Sequence, residues 1–240
     1  MSRQILLQHR KRWHQKAVVR TLYTEWYEKI AAVVGPGRTL EIGGGTGNFK
    51  SFFPRTVTSD IVCLPWLDLV SDAHSLPFRD DCLGNIVLFD VLHHLETPIL
   101  FFDEALRVLK NGGRIIMMEP YLSLASFLLY RFIHPEGLDL SRNPFETTKK
   151  SQSRKPFDAN QAIPTLLFIR RIKQFEKKYP QLNILNLERF SFFAYPLSGG
   201  FDKPSLIPLF AVGPLLLLER FLSILSPILA FRMFIVIEKT

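Results

Sequence analysis

The 240-residue chain predicts an α/β fold, a mostly parallel sheet covered by helices on both faces. Three observations carry that expectation. Short apolar runs of strand length alternate with stretches of helical apolar spacing, without repeats or low-complexity tracts. A glycine loop at residues 43–47 follows the first strand-like run directly. The length suits one domain whose core is large enough to need no covalent staples.

Taken in order, residues 16–34 read as an amphipathic helix stopped by Gly35, Pro36 and Gly37. A first strand at 38–42 runs into the glycine loop, and 49–53 makes a short helix. Strands follow at 56–60, 67–71 and 85–89. Residues 98–109 have helical spacing and end at Lys110, Asn111, Gly112 and Gly113, a stop-and-turn signal before a fifth strand at 114–119. Beyond Tyr121 an apolar helix runs to about residue 133, and the polar, basic stretch 135–156 reads as a mobile loop or lid. A helix at 159–179 precedes a strand at 184–195, and 231–238 alternates as a last strand.

Cys63 and Cys82 lack any paired spacing, so neither a disulfide framework nor a zinc site is expected, and a reducing cytoplasm fits the composition. The first sixteen residues lack the apolar core of a signal peptide, which predicts a protein that is not exported. The net charge of +8 is uneven. Residues 31–130 hold seven basic and eleven acidic side chains, whereas 131–180 hold eleven basic and five acidic. An acidic core suits a cationic ligand, and basic additions suit anionic surfaces; solubility charge explains the same numbers.

Residues 208–230 are mostly Leu, Ile, Phe and Val. A membrane span is disfavoured, because Glu219 and Arg220 sit at its centre and Pro214 and Pro227 interrupt it. Two readings stay open: a helix packed in the core, or a peripheral membrane contact or lining for a lipid-like ligand.

The sharpest motif is Thr39-Leu-Glu-Ile-Gly-Gly-Gly-Thr-Gly-Asn48, an apolar strand that turns through glycines into a helix. A dinucleotide loop wants a third glycine where Asn48 stands, and its pyrophosphate would be repelled by Glu41. A positive ligand would not be. With this motif, Asp60 after the second strand, Asp72-Ala73 after the third, and Phe89-Asp90-Val-Leu-His-His-Leu-Glu-Thr-Pro98 after the fourth, the chain resembles the class I methyltransferases that use S-adenosylmethionine, in particular their methyltransferase type 11 branch acting on small molecules. The likeness is good over residues 38–120.

That resemblance implies a Rossmann-like, seven-stranded sheet in a single domain, residues 1–240. A helical cap at 1–37, a cofactor-binding core at 38–120, a helical and lid insertion at 121–180, and C-terminal strands with an apolar helix at 181–240 would make it up. It implies that Glu41, Gly43, Gly44, Gly45 and Gly47 hold the aminoacyl end of S-adenosylmethionine, Asp60 with Ile61 the ribose, Asp72 and Ala73 the adenine, and Asp90 the methyl end. A carboxylate suits a ribose because it offers two acceptor oxygens.

Methyl transfer from a sulfonium needs alignment, exclusion of water and sometimes a base. His93 and His94, or Glu119 at the end of the fifth strand, are the candidate bases; Glu119 reads equally as a turn cap. His9, His14, Tyr23, Trp26 and Tyr27 would lie over the cofactor or pack, and Tyr195, Ser198, Gly199, Gly200 and Phe201 would shape the acceptor pocket or form a plain turn. No metal is expected. The acceptor is expected to be a small or lipid-linked molecule such as an isoprenoid, quinone or saccharide intermediate. A nucleic-acid methyltransferase is disfavoured, since Asp90-Val-Leu-His is not the Asp/Asn-Pro-Pro-aromatic motif of base-modifying enzymes. A non-catalytic binding protein is the third alternative, opposed by intact Glu41, Asp60 and Asp72.

Overall fold

The computed structural model describes residues 2–132, 136–147 and 155–240. Two helices come first, α1 (Ser2–Gln15) and α2 (Ala17–Ala31). They are followed by β1 (Thr39–Ile42), α3 (Phe49–Phe52), β2 (Val57–Asp60), β3 (Leu69–Val70), β4 (Leu83–Phe89), α4 (Pro98–Val108) and β5 (Leu109–Pro120). The second half holds α5 (Leu124–Phe132), α6 (Ile163–Thr165), α7 (Ile172–Lys178), β6 (Leu182–Phe190), α8 (Ala194–Ser198), α9 (Val212–Phe221), α10 (Ser226–Leu229) and β7 (Arg232–Lys239).

The strands form one seven-stranded sheet in the order β3-β2-β1-β4-β5-β7-β6. β1 pairs in parallel with both β2 and β4, and β7 runs antiparallel to β5 and β6. Successive residues of β5 and β7 point to opposite faces, so their apolar runs feed two cores. Ile115, Met117, Ile235 and Ile237 pack with α4 and α7 on one face, while Ile116, Met118, Phe234 and Val236 pack with α2 on the other. The chain leaves β1 toward β2 on one side and reaches β4 on the other. A crevice opens at such a reversal of strand order, beyond the carboxyl ends of the strands.

The expected elements occur, with five corrections. Lys110, Asn111, Gly112 and Gly113 do not turn ahead of β5 but belong to it: β4 and β5 slip register between Leu83 and Asn85, and Gly112 takes φ +75° in the resulting bulge. The helix expected over 159–179 is broken into α6, a π-helical turn at Leu166–Arg170 and α7. The sixth strand stops at Phe190, where Ser191 adopts φ +64°, and Tyr195 lies in α8. The third strand shrinks to Leu69–Val70.

The fifth correction concerns 208–230. Only Val212, Glu219 and Ala230 are buried there, which overturns the core-packed reading. Glu219 turns inward, and its Oε1 accepts the backbone N–H groups of Phe193 and Ala194 at the start of α8. Leu215, Leu216, Leu222 and Leu229 pack partly against the two cores, while Leu209, Phe210, Leu217, Phe221 and Ile224 are left outside. No single helix among the described residues is long and apolar enough to cross a membrane; Leu209–Phe221 and Ser223–Leu229 meet at a 73° bend.

Of the expected loop or lid at 135–156, residues 136–147 and 155–156 are described and contain no helix or strand. The remainder, with 133 and 134, lies outside the described residues. Asn160 fastens the described part: its Oδ1 accepts the Asp139 N–H, and its own N–H donates to the His93 carbonyl.

Candidate active site

The crevice is built from the ends of β1, β2, β3 and β4 and encloses a cavity of about 880 Å³. That volume lies at the upper end of the range for small-molecule sites, enough for two ligands side by side. β1 enters the glycine loop at Gly43, whose φ is +70° and whose added Cβ would lie 2.3 Å from Val91 Cγ2. Only glycine brings the two segments that close together.

Glu41 lies at the cavity wall, buried, with Oε2 lacking any hydrogen-bond partner. Burial, and then the neighbouring Asp60 carboxylate, push its pKa up to about 8. An orphaned carboxyl oxygen in a cavity is what a cationic ligand would satisfy. Asp60 accepts the Gly45 N–H on Oδ2 (3.0 Å) and the Val62 N–H on Oδ1 (2.8 Å), which aims the carboxylate into the cavity and leaves a lone pair on each oxygen. Ile61 and Ala73 line the same wall, and Asp72 is turned by His74, whose backbone and ring nitrogens lie 3.0 and 2.9 Å from Oδ1. These residues fit S-adenosylmethionine along their length: a cation beside Glu41, a diol beside Asp60, a purine beside Asp72, Ala73 and Ile61.

The opposite end differs from expectation at Asp90. It lines the cavity, but its carboxylate is held bidentate by Arg232, at 2.6 and 2.5 Å, so one lone pair on each oxygen is already taken by a buried cation. Arg232 is buried, and its guanidinium lies over Trp26 (4.7 Å) and Tyr195 (4.8 Å). Sequence reasoning missed Arg232, His74 and Glu136; the one signal for Arg232 is a lone charge in the apolar run Phe231-Arg-Met-Phe-Ile235, and Glu136 lies in the stretch read only as a loop.

The two histidines prove unequal. Glu119 is fully buried and does not line the cavity; it accepts the N–H groups of Val91 and Leu92, each at 2.8 Å, and lies 2.7 Å from His93 Nδ1. Glu119 thus caps the 3₁₀ turn Leu92–His94 after β4 rather than the turn that follows its own strand, and it orients His93 while standing too far back to be a base that touches an acceptor. His93 Nε2 is 3.6 Å from Glu136 Oε2. Burial alone would lower the His93 pKa, but the Glu119 and Glu136 carboxylates outweigh it and raise it to about 10. Burial, then the His93 charge, push His94 down to about 4. At neutral pH His93 is an imidazolium and His94 a neutral ring. Nitrogen and oxygen atoms of His93, His94 and Glu136 lie within 4.8 Å of one another, close enough for a cation, though ligation would require His93 to give up its proton.

α1 forms the cover. Leu6 and His9 line the cavity, and Arg10 donates to the Thr46 carbonyl while stacking on Trp66 (4.3 Å). Arg12 donates to the Phe201 carbonyl and to Asp202, and Lys16 to the Gly200 and Ser198 carbonyls. Of the aromatic and loop residues singled out, Tyr23, Tyr27, Tyr195, Gly199, Gly200 and Phe201 line the cavity, whereas His14, Trp26 and Ser198 stand outside its lining.

Residues 40–117 match the model of the methyltransferase domain family. The chain is 32% identical over 104 residues to an uncharacterized protein of Methanocaldococcus jannaschii, covering 40% of this chain and 51% of that one. It is 31% identical over 143 residues to the demethylmenaquinone methyltransferase of Streptomyces avermitilis, covering 50% and 62%. The matches thus span about half to three-fifths of the length of these relatives. A crystal structure of an S-adenosylmethionine-dependent methyltransferase from Thermotoga maritima, described as a possible histamine N-methyltransferase, superposes with a TM-score of 0.55 over 96% of this chain and 94% of its own at 16% identity. That likeness is one of fold.

Proposed function

We propose that the protein transfers a methyl group from S-adenosylmethionine to a small apolar or lipid-linked acceptor, a reading supported by the match of residues 40–117 to the methyltransferase domain model and by the fold of the whole chain. The observation that carries this reading is a single cavity with two chemically distinct ends. The acids Glu41, Asp60 and Asp72 line one; Leu129, Tyr130 and Phe157, with the charged His93, line the other. The similarity to a demethylmenaquinone methyltransferase supports an isoprenoid or quinone among the acceptors considered. Cytoplasmic placement belongs to the same reading.

When bound, the cofactor supplies an electrophilic methyl group on a sulfonium. The residues of this chain do the rest. Glu41 receives the ligand's positive end, Asp60 the ribose hydroxyls, and Asp72 with the Ala73 backbone the adenine edge. Glu119 fixes the His93 ring through Nδ1, so that the Nε2–H of the imidazolium points toward Glu136 and the cavity. We assign Glu136 as the group that takes the acceptor's proton, with His93 holding the negative charge left on the acceptor. Glu119 is a positioning residue. Leu6 and His9 of α1 exclude water from one side.

Titration calorimetry with S-adenosylmethionine, its demethylated product and a nicotinamide dinucleotide tests the first step. Saturable binding of the first two alone is expected. Methyl transfer to a prenylated dihydroxy-naphthalene is then expected to exceed transfer to an oligonucleotide. Absence of cofactor binding overturns the reading.

A further inference from the structure

The outer surface of the second half carries a feature that the cavity chemistry does not use. On α5, Leu124, Leu128 and Phe132 recur every four residues and form one exposed stripe, Phe132 being 77% exposed. The opposite face of the same helix turns inward, where Leu129 and Tyr130 line the cavity. α10 packs against α5. The stripe therefore continues onto the bent pair at 209–229, where Phe210, Phe221 and Ile224 are 76–86% exposed and Ile228 about half. Leu206, exposed beside this pair, also lines the cavity.

Exposed apolar area this large and contiguous marks an interaction surface, since soluble monomers rarely leave one uncovered. Its charges select the partner. The one acid between residues 203 and 229 is Glu219, which is buried against α8, and α5 contains none. The charges these segments leave outside are Lys203, Arg220 and Arg131, all basic; the acids bordering them are Glu25 near Arg220 and Asp202, which is paired with Arg12 and His9. Neither helix of the pair is long enough to cross a bilayer by itself, and two short helices meeting at 73° can lie in its surface with basic groups at the phosphate level.

We propose that α5, α9 and α10, with the 206–211 segment, dock on an anionic phospholipid bilayer, and that the acceptor passes between that surface and the cavity along Leu206 and the α5 wall. The passage rests on the lipid-linked-acceptor reading above; the docking does not.

Flotation of the full chain with vesicles of phosphatidylcholine, alone or mixed with phosphatidylglycerol, tests it without cofactor. Binding to the mixed vesicles is expected, weaker on the neutral ones and in high salt. Phe221→Ser with Ile224→Ser, and separately Leu128→Ser with Phe132→Ser, should each lower the partition coefficient at least about tenfold. All four side chains are exposed, so the fold and the affinity for S-adenosylmethionine should not change. No flotation at low salt, or flotation indifferent to both pairs, overturns the proposal. So does a dimer in sedimentation that the same substitutions dissolve while vesicles go unbound, which would assign the surface to a second copy. Failure to bind cofactor alongside normal flotation sinks the methyltransferase reading and leaves the docking intact.

Discussion

The acids of the cavity are distinguishable by what already holds them. Asp60 gives one lone pair on each oxygen to a backbone N–H, so Asp60→Ala removes a ribose acceptor and also frees Gly45. Loss of a charge-assisted pair is expected to cost about 2 kcal/mol, roughly thirtyfold in cofactor Kd by calorimetry; unchanged affinity would remove Asp60 from the site. Glu41 gives a pH signature. Its pKa is raised from 4.5 to about 8, so between those values the folded state holds a proton that the unfolded chain has lost, and stability falls as pH rises through that window. A cation bound beside it reverses the preference. Cofactor binding at pH 7 should release nearly one proton, measured as a dependence of the calorimetric enthalpy on buffer, and Glu41→Gln should abolish both the release and that part of the pH slope. His93, raised from 6.5 to about 10, has the same sign: its contribution to stability is full below 6.5 and lost as pH rises toward 10. Turnover should stay level to the alkaline side and fall as the imidazolium deprotonates near pH 10. In Glu119→Gln that limb should move to lower pH, with kcat reduced about 10²-fold and KM little changed; an unmoved limb would deny Glu119 its positioning role.

Among the elements, those that build the cofactor wall were readable from sequence because each joins a strand-length apolar run to an acid or glycine at its carboxyl end. That is local information, and Glu41, Asp60 and Asp72 needed nothing more. Arg232 needed more: its partner Asp90 is 142 residues away, and a single basic residue in a strand says nothing of where its charge is spent. The glycines at 112 and 113 misled for a related reason, since a bulge inside a strand and a turn before it ask for the same residues. Composition could not orient 208–230 either, because an apolar helix looks the same whether the core or a membrane covers it. α1 belongs to this scale. Arg10 joins it to the glycine loop, and Arg12 and Lys16 join it to residues 198–203. Replacing Arg12 and Lys16 by Ala should therefore speed cofactor dissociation about five- to tenfold in stopped-flow measurements, with little change in melting temperature. Equal dissociation rates would mean that α1 is packing and not a cover.

For the molecule as a whole, the cofactor wall exists only when the sheet does. Glu41, Asp60 and Asp72 come from the ends of three strands, and none meets the others until β1 has paired with β2 and β2 with β3. A ligand that needs all three has nothing to bind in the unfolded chain, so its binding energy adds directly to stability. At a hundred times its Kd, S-adenosylmethionine should add about 2.7 kcal/mol, which for a chain of this size is a rise in melting temperature of about 5–10 °C. β3 pairs through only Leu69 and Val70, and it carries the segment leading to Asp72, so this edge of the sheet opens most easily. Hydrogen exchange at residues 69–73 should slow on adding cofactor by more than at β4 or β5, which are held on both sides. A melting rise without protection at 69–73 would place the adenine elsewhere; protection there together with the rise would tie the least secure edge of the sheet to the ligand that closes it.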